Sequence, residues 1–331
     1  MERAIKERFS DAILQEARRR FDIAPEAIQL LDGFESFIYA FTRPDGAYIL
    51  RLGHSRRRSP NLVRAEVDWI NYLAAGGAGV AQATLSTHGE LVELLDDGQG
   101  GHFLATAFVR APGGPVGEMG GWTEPLLVAY GRLLGRIHAL SQSYRPANPA
   151  WQRPQWDDPI NNDVYASLAQ EESLIARRYL TVFNHLLSLP RPANGYGMIH
   201  QDAHAGNLFV TADGRITLFD FDDCVYGHFA YDLAMVLFYA LTNRDDAADY
   251  ARYFWPPFWH GYRQENELEE GWLDEVPHFM KLREIDLYTV IVRDVGWDHV
   301  EEHPWTARFM RGRRERIEED LPCLDIDLRR S

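Results

Sequence analysis

The sequence predicts an α+β protein of two lobes: a small antiparallel β N-lobe carrying an N-terminal helix over residues 1–110, and a larger, mostly helical C-lobe over 111–331. Three observations predict it. Short β-type runs bounded by turn residues fill residues 27–109. The segment Ala111-Pro112-Gly113-Gly114-Pro115 then breaks the pattern as a linker would. Beyond it, apolar residues recur at helical spacing. A chain of 331 residues with 46% apolar composition can bury cores for both lobes.

Taken in order, residues 2–21 read as one helix, with Ile5, Phe9, Ile13, Leu14 and Ala17 on a single face. Strands are expected at Ala27–Phe34, Phe37–Arg43 and Ala47–His54, the last two joined by the turn Arg43-Pro44-Asp45-Gly46. Leu62–Ala75 repeats Val63, Val67, Ile70 and Leu73 at helical spacing, and two more strands are expected at Gly89–Leu95 and His102–Val109. In the second lobe, helices are expected at Glu124–Ser141 and Asp163–Leu189. A hairpin of Leu208–Val210 and Ile216–Phe221 turns at Thr211-Ala212-Asp213-Gly214. Further helices run to about Glu319.

Composition narrows the partners. The formal net charge of −15 disfavours nucleic acid and anionic membrane; it is compatible with a cationic substrate and equally with the ordinary surface charge of a soluble protein. The two cysteines, Cys224 and Cys323, form neither a CxxC pair nor a disulfide framework. There is no run of about 18 apolar residues, and the stretch Met1–Phe21 lacks the apolar segment of a secretion signal, so a cytoplasmic protein is expected.

The most informative segment is His200-Gln201-Asp202-Ala203-His204-Ala205-Gly206-Asn207, followed after the hairpin by Asp220-Phe221-Asp222-Asp223. H-x-D-x-x-x-x-N followed by D-F-D is the layout of a phosphoryl-transfer loop and a metal-binding acid. Phosphoryl transfer asks a protein for phosphate positioning, charge neutralisation by Mg2+ and an aligned acceptor hydroxyl. Asp202 is the candidate base for that hydroxyl. Asn207 and Asp220 offer the hard oxygen donors that Mg2+ prefers. Asp222 lies two residues beyond Asp220, on the same face of a strand, and is a candidate second metal ligand, a substrate contact or a structural acid. His204, inside the loop, is a candidate either for loop support or for acceptor contact. His200 is expected to brace the loop by hydrogen bonding. Asp232, in Tyr231-Asp232-Leu233-Ala234, either caps the helix it opens or reaches back to hold the loop backbone.

The β lobe is expected to hold the nucleotide. Arg51 ends the strand Tyr48-Ile49-Leu50-Arg51, where a cation can meet the α- and β-phosphates, and Glu66 on the next helix is its natural ion-pair partner. In the turn Asp32-Gly33-Phe34-Glu35-Ser36, Gly33 permits close approach of backbone to phosphate and Ser36 adds a hydroxyl. Phe108 and Val109, just before the linker, are placed to meet an adenine edge.

These residues resemble the aminoglycoside phosphotransferase and choline kinase-like superfamily, whose run H-G-D-x-H-x-G-N, D-F-(D/E) and D-L-A stands here at His200–Asn207, Asp220–Asp222 and Asp232–Ala234. The resemblance implies a protein kinase-like fold, ATP or GTP with Mg2+, and transfer of the γ-phosphoryl group to a small-molecule hydroxyl acceptor: an amino alcohol, a homoserine-like amino acid or an aminoglycoside. The Asp222-Asp223 pair looks most like the homoserine kinase-like and stress-response kinase-like branches. Two residues depart from the pattern: Gln201 stands where glycine is usual, and Arg51 where many relatives carry lysine. Arginine's fork still suits phosphate oxygens. A protein Ser/Thr kinase is the alternative reading, weakened because no A-P-E signature follows Asp220. A nucleotide-binding pseudokinase is the other, opposed by the intact Asp202, Asn207 and Asp220. The aromatic residues between 228 and 297 are read mainly as core, with cation–π recognition of an ammonium group as the competing reading.

Overall fold

The structure, a computed structural model, describes residues 3–31, 33, 35–159, 163–168 and 173–329. The chain divides into two compact units. The first comprises Met1–Gly113 with Tyr144–Arg153 and Thr217–Asp222. The second comprises Gly114–Ser143, Pro154–Ile216 and Asp223–Ser331.

The first unit opens with two helices, α1 (Arg3–Lys6) and α2 (Asp11–Arg20), where the sequence suggests one. Ser10 takes an extended conformation (φ −141°, ψ 161°), so the backbone leaves the helix before α2 begins. The apolar face survives the break: Ile5, Ile13, Ala17 and Phe21 pack with Phe41, Leu50, Leu52 and Phe103. The strands β1 (Ile28–Leu31), β2 (Phe37–Arg43) and β3 (Gly46–His54) follow, then α3 (Pro60–Ala75), β4 (Ala83–Thr84), β5 (Glu93–Asp96) and β6 (His102–Val109). They form one antiparallel sheet in the order β1-β2-β3-β6-β4, with β5 also on β6. The first strand is shorter than expected, and the Phe34 end of that expectation lies outside the described residues. The strand expected from Gly89 starts only at Glu93, because Ser86–Gly89 is a turn in which Gly89 N–H donates to Ser86 O (3.0 Å) and Gly89 has φ +79°. Ser59 caps α3 by accepting from Leu62 N–H (3.3 Å), and Val63, Val67, Ile70 and Leu73 form its buried face.

The Asp220 segment is tied into this unit. Leu218 pairs in parallel with Val80. Ala81 N–H donates to Leu218 O (2.9 Å), and Leu218 N–H donates to Gly79 O (2.9 Å). Phe221 is buried edge-on against Trp69 of α3, with ring centroids 5.4 Å apart.

The second unit contains α4 (Glu124–Ser141), α5 (Asp163–Leu168), α6 (Leu174–Leu187), β7 (Tyr196–Ile199), β8 (Leu208–Val210), the start of β9 (Ile216–Leu218), β10 (Val225–His228), α7 (Phe229–Leu241), α8 (Ala247–Tyr262), α9 (Val276–Val290), α10 (Pro304–Met310) and α11 (Arg313–Glu318). The single helix expected over Asp163–Leu189 is two: Ser173, extended, caps α6 by accepting from Ala176 N–H (3.1 Å), and residues 169–172 lie outside the described set. The strand expected to reach Phe221 ends at Leu218. The antiparallel pair β7–β10, in register from Ile199↔Val225 to Tyr196↔His228, frames the loop that starts at His200. Helices α4 and α8 cross backbone to backbone. A Cβ on Gly131 would lie 1.8 Å from Phe258 O, and one on Gly261 would lie 2.1 Å from Val128 O. Glycine alone permits this approach, which seats Tyr130 and Tyr262 in the core beneath the loop.

His228 ends β10 fully buried, its ring against Trp272 and Phe279. Its Nε2–H donates to Pro190 O (3.1 Å), while Nδ1 has no partner among the described residues. Burial pushes the imidazole down to about 4, against the smaller opposing pull of the Pro190 carbonyl. The unfolded chain therefore takes up a proton near pH 6.5 that the folded chain refuses until about pH 4. Stability from this residue is fully present above pH 6.5 and is lost as pH falls, by ~3 kcal/mol at pH 4. Urea unfolding at stepped pH should show that loss in the native chain and a shallower one in His228→Gln. Parallel curves would remove His228 as the cause.

Candidate active site

In the second unit, the loop after β7 is held from beneath by one carboxylate. Asp232, fully buried in the first turn of α7, accepts from His200 N–H through Oδ2 (2.9 Å) and from Gln201 N–H through Oδ1 (2.7 Å). Behind it runs a buried polar chain. Gln142 Nε2 donates to Asn266 Oδ1 (2.7 Å), and Asn266 Nδ2 donates to Tyr262 OH (2.8 Å). The Tyr262 hydroxyl is left to donate to His138 Nδ1 (2.8 Å), so His138 Nε2–H donates to Asp232 Oδ2 (3.1 Å). Tyr130 OH donates to Ala203 O at the loop's centre. Gln201 has φ +67°, a left-handed conformation that costs a residue with a Cβ ~1–2 kcal/mol. This accounts physically for glycine being usual at this point of the motif.

The loop's own side chains then order its mouth. His200 Nδ1 accepts from Asp202 N–H (3.2 Å) and His204 Nδ1 from Gly206 N–H (2.9 Å). With Nδ1 used as an acceptor, His204 presents Nε2–H to Asp202 Oδ2 (3.3 Å). Asn207 Nδ2 donates both to Asp202 O (2.9 Å) and to Oδ2 (3.0 Å). That fixes the amide's orientation and leaves its oxygen without a hydrogen-bond donor among the described residues, which suits a hard cation. Arg283, on α9, places Nη2 3.3 Å from Asp202 Oδ1 and 2.5 Å from Tyr239 OH. Burial would raise the Asp202 carboxyl, but the His204 hydrogen bond and the Arg283 charge outweigh it and hold the group well below the usual carboxylate range. Asp202 is therefore an ionised, oriented and weak base.

In the first unit, Arg51 and Glu66 form a bidentate pair (2.7 and 2.8 Å), with Glu66 fully buried. The Arg51 guanidinium also lies 5.1 Å from the Phe108 ring centroid. Burial opposes its charge, yet Glu66, Asp222 and Asp220 raise its pKa above the ordinary arginine value. Asp220 is exposed and adopts φ +64°, a conformation that Asp tolerates better than most side chains. Asp222 sits in an arginine cluster. Its carboxylate pairs with Arg57, with Arg58 (3.5 Å) and more distantly with Arg51 (3.8 Å), and its backbone carbonyl accepts from Arg153 (2.6 Å). Burial would raise this carboxyl too; the guanidinium charges of Arg51, Arg57, Arg58 and Arg153 hold it well below its usual range.

Arg57 also pairs with Glu35, in the same turn as Gly33 and Ser36. A Cβ at Gly33 would meet Ser36 O at 2.4 Å, so the turn is closed tightly upon itself; Asp32 and Phe34 lie outside the described residues. Val109 N–H is already committed to Gln82 O (2.8 Å) and Arg110 N–H to Ala47 O (3.0 Å).

Sequence reasoning missed Arg57, Arg58, Arg153, Arg283 and His138, and counted Tyr239 only among the aromatics read mainly as core. The run Arg56-Arg57-Arg58 was a visible signal for the first two. Arg283 has none, standing 81 positions from Asp202.

With this loop, this β unit and this helical unit, the chain belongs to the phosphotransferase enzyme family, whose model matches residues 26–267. It is a kinase of protein kinase-like fold that uses ATP with a divalent metal and takes a small-molecule hydroxyl as acceptor. Amicoumacin kinase of Bacillus subtilis (strain 168) is 32% identical over 321 residues, covering 96% of this chain and 94% of that protein. The solved amicoumacin kinase hAmiN, in complex with AMP-PNP, Ca2+ and Ami, matches with a TM-score of 0.91 at 29% identity, over 100% of this chain and 99% of that one. A microcompartment-associated aminopropanol kinase shares the fold, with a TM-score of 0.70 at 20% identity over 94% of this chain and 98% of that one. No helix among the described residues is long and apolar enough to cross a membrane.

Proposed function

We propose that this protein transfers the γ-phosphoryl group of ATP to a hydroxyl of amicoumacin or of a compound sharing its acceptor moiety, in the cytoplasm. The observation that carries this reading is similarity along the whole chain to amicoumacin kinases, at 32% identity in sequence and a TM-score of 0.91 in structure. The net charge of −15 favours an acceptor bearing a cationic group.

In this reading Asp202 orients the acceptor hydroxyl. Being held ionised and weakly basic, it accepts the proton late, as suits a transition state with little nucleophile deprotonation. Asn207, through its amide oxygen, and Asp220 would hold the nucleotide's Mg2+, which would supply neutralisation of the phosphate charge. Arg51, kept in place by Glu66, meets the phosphates. Gly33 and Ser36 supply the close turn beside them, and Phe108 and Val109 line the base. His200 and Asp232 shape the loop, His204 bears on the acceptor through Asp202, and Asp222 anchors the arginine cluster.

The test is ADP release by purified protein with Mg-ATP against amicoumacin, aminopropanol, choline, homoserine and aminoglycosides, with product mass. Amicoumacin should exceed every other acceptor in kcat/KM by at least ~10²-fold, and EDTA should abolish turnover. Turnover of another acceptor class instead would reassign the substrate. Phosphorylation of proteins alone would favour the protein-kinase reading, and failure to bind Mg-nucleotide would leave only a scaffold.

A further inference from the structure

On the second unit, away from the catalytic loop in sequence, two helix ends bring two imidazoles onto one carboxylate. His185 lies in the last turn of α6; Glu275 immediately precedes α9 and His278 lies in its first turn. Glu275 and His278 are three residues apart, so they share a helix face. His185 Nε2 is 2.7 Å from Glu275 Oε2, and His278 Nδ1 is 3.2 Å from the same oxygen. All three donor atoms lie within 4.8 Å of one another, and the two imidazole centroids are 4.4 Å apart.

We propose that His185, Glu275 and His278 form a binding site for a first-row divalent cation of the Zn2+ type, additional to the nucleotide's Mg2+. Three nitrogen and oxygen donors bonded at ~2.0–2.1 Å around a tetrahedral ion stand ~3.3 Å from each other. The observed triangle, with sides of 2.7 and 3.2 Å and none above 4.8 Å, is close to that size. Two imidazoles with one carboxylate select borderline ions such as Zn2+, Co2+ or Ni2+; Mg2+ and Ca2+ call for oxygen donors. The side chains are 41%, 19% and 47% exposed, so an ion has an entry path and water can complete its coordination. Bound there, the ion would pin the end of α6 to the start of α9, the helix that carries Arg283 beside Asp202.

The alternative for the same contacts is an ordinary histidine–glutamate hydrogen-bonded pair with no affinity for metal, and the experiment separates the two. Full-length protein, stripped with EDTA, is titrated with Zn2+ by calorimetry and with Co2+ by visible absorption, in excess Mg2+ and without nucleotide. Thermal unfolding is followed in parallel. We expect one Zn2+ per chain, a histidine-ligated Co2+ spectrum and a Zn2+-dependent rise in Tm. Affinity should fall by at least ~10-fold in both His185→Ala and His278→Ala. Both positions are half-exposed, so the variants should keep the native circular dichroism and the zinc-free kinase activity. Absence of Zn2+ binding, or binding of equal affinity in wild type and both variants, overturns the proposal. Neither result bears on the amicoumacin assignment, which is tested by acceptor turnover.

Discussion

Asp202→Ala is expected to lower kcat by ~10²–10⁴-fold while leaving Mg-nucleotide affinity within a few fold. The carboxylate contributes orientation and late proton acceptance; the Arg51, Glu66 and Asp220 side chains remain, and Asn207 keeps its bond to the Asp202 backbone carbonyl (2.9 Å). The geometry makes the prediction sharper than the motif does. Asp202 accepts from Arg283, His204 and Asn207, so its two oxygens are fixed before any acceptor arrives. Fixed charge in a half-buried setting costs no reorganisation during the reaction. The same contacts hold its pKa far down, so the group stays ionised throughout the neutral and mildly acid range. The acid limb of the kcat profile should therefore not arise from Asp202. Stopped-flow or coupled-assay kcat, with nucleotide binding measured by fluorescence, checks both halves. An equal loss in turnover and in nucleotide affinity would show that Asp202 serves the nucleotide rather than the acceptor.

The parts legible in the sequence are those set by local spacing. His200, Asp202 and Asn207 lie within eight residues, and the bonds among them form inside a single loop. Arg51 and Glu66 are separated by a strand end, a short connection and the first two turns of a helix, and they meet bidentately. The strand from His102 and the helix from Glu124 have the expected ends, because alternation and helical spacing are strong there. Less legible were the breaks. Ser10 and Ser173 each interrupt an apolar periodicity that by itself continues, and the two-residue β4 and the four-residue β7 and β10 are too short for alternation to register. Contacts made by distant residues were not legible at all. His138 stands 94 positions from Asp232, and Arg57 stands 165 from Asp222. The acceptor stayed obscure for a related reason: Tyr231, Trp255, Trp259 and Tyr262 are core, and composition cannot distinguish a packed aromatic from a binding one.

Asp232→Ala is expected to be the most destabilising conservative-sized change in the second unit, by ~3–5 kcal/mol, out of a total that for most domains is only ~5–15 kcal/mol. Truncation strands three donors at once: His200 N–H, Gln201 N–H and His138 Nε2–H. The side chain of Asp232 is fully buried and His200 and His138 are fully buried with it, so water does not readily replace the lost acceptor. Gln201 adds to the penalty. Its φ of +67° persists only while its surroundings over-determine it, and the Asp232 Oδ1 bond is part of that constraint. Released, the residue would relax toward an ordinary conformation and carry Asp202, its neighbour, out of register. Activity should therefore fall even in the fraction that remains folded. Asp232→Asn keeps one acceptor oxygen but turns an amide group toward the other N–H, so it should be intermediate in both stability and kcat. Urea unfolding read together with kcat at a temperature where the variant is native distinguishes loop distortion from mere loss of folded protein. If Asp232→Ala unfolded within ~1 kcal/mol of wild type and kept its turnover, the carboxylate would be a helix-terminal charge and the loop would be held by Tyr130 and its own histidines.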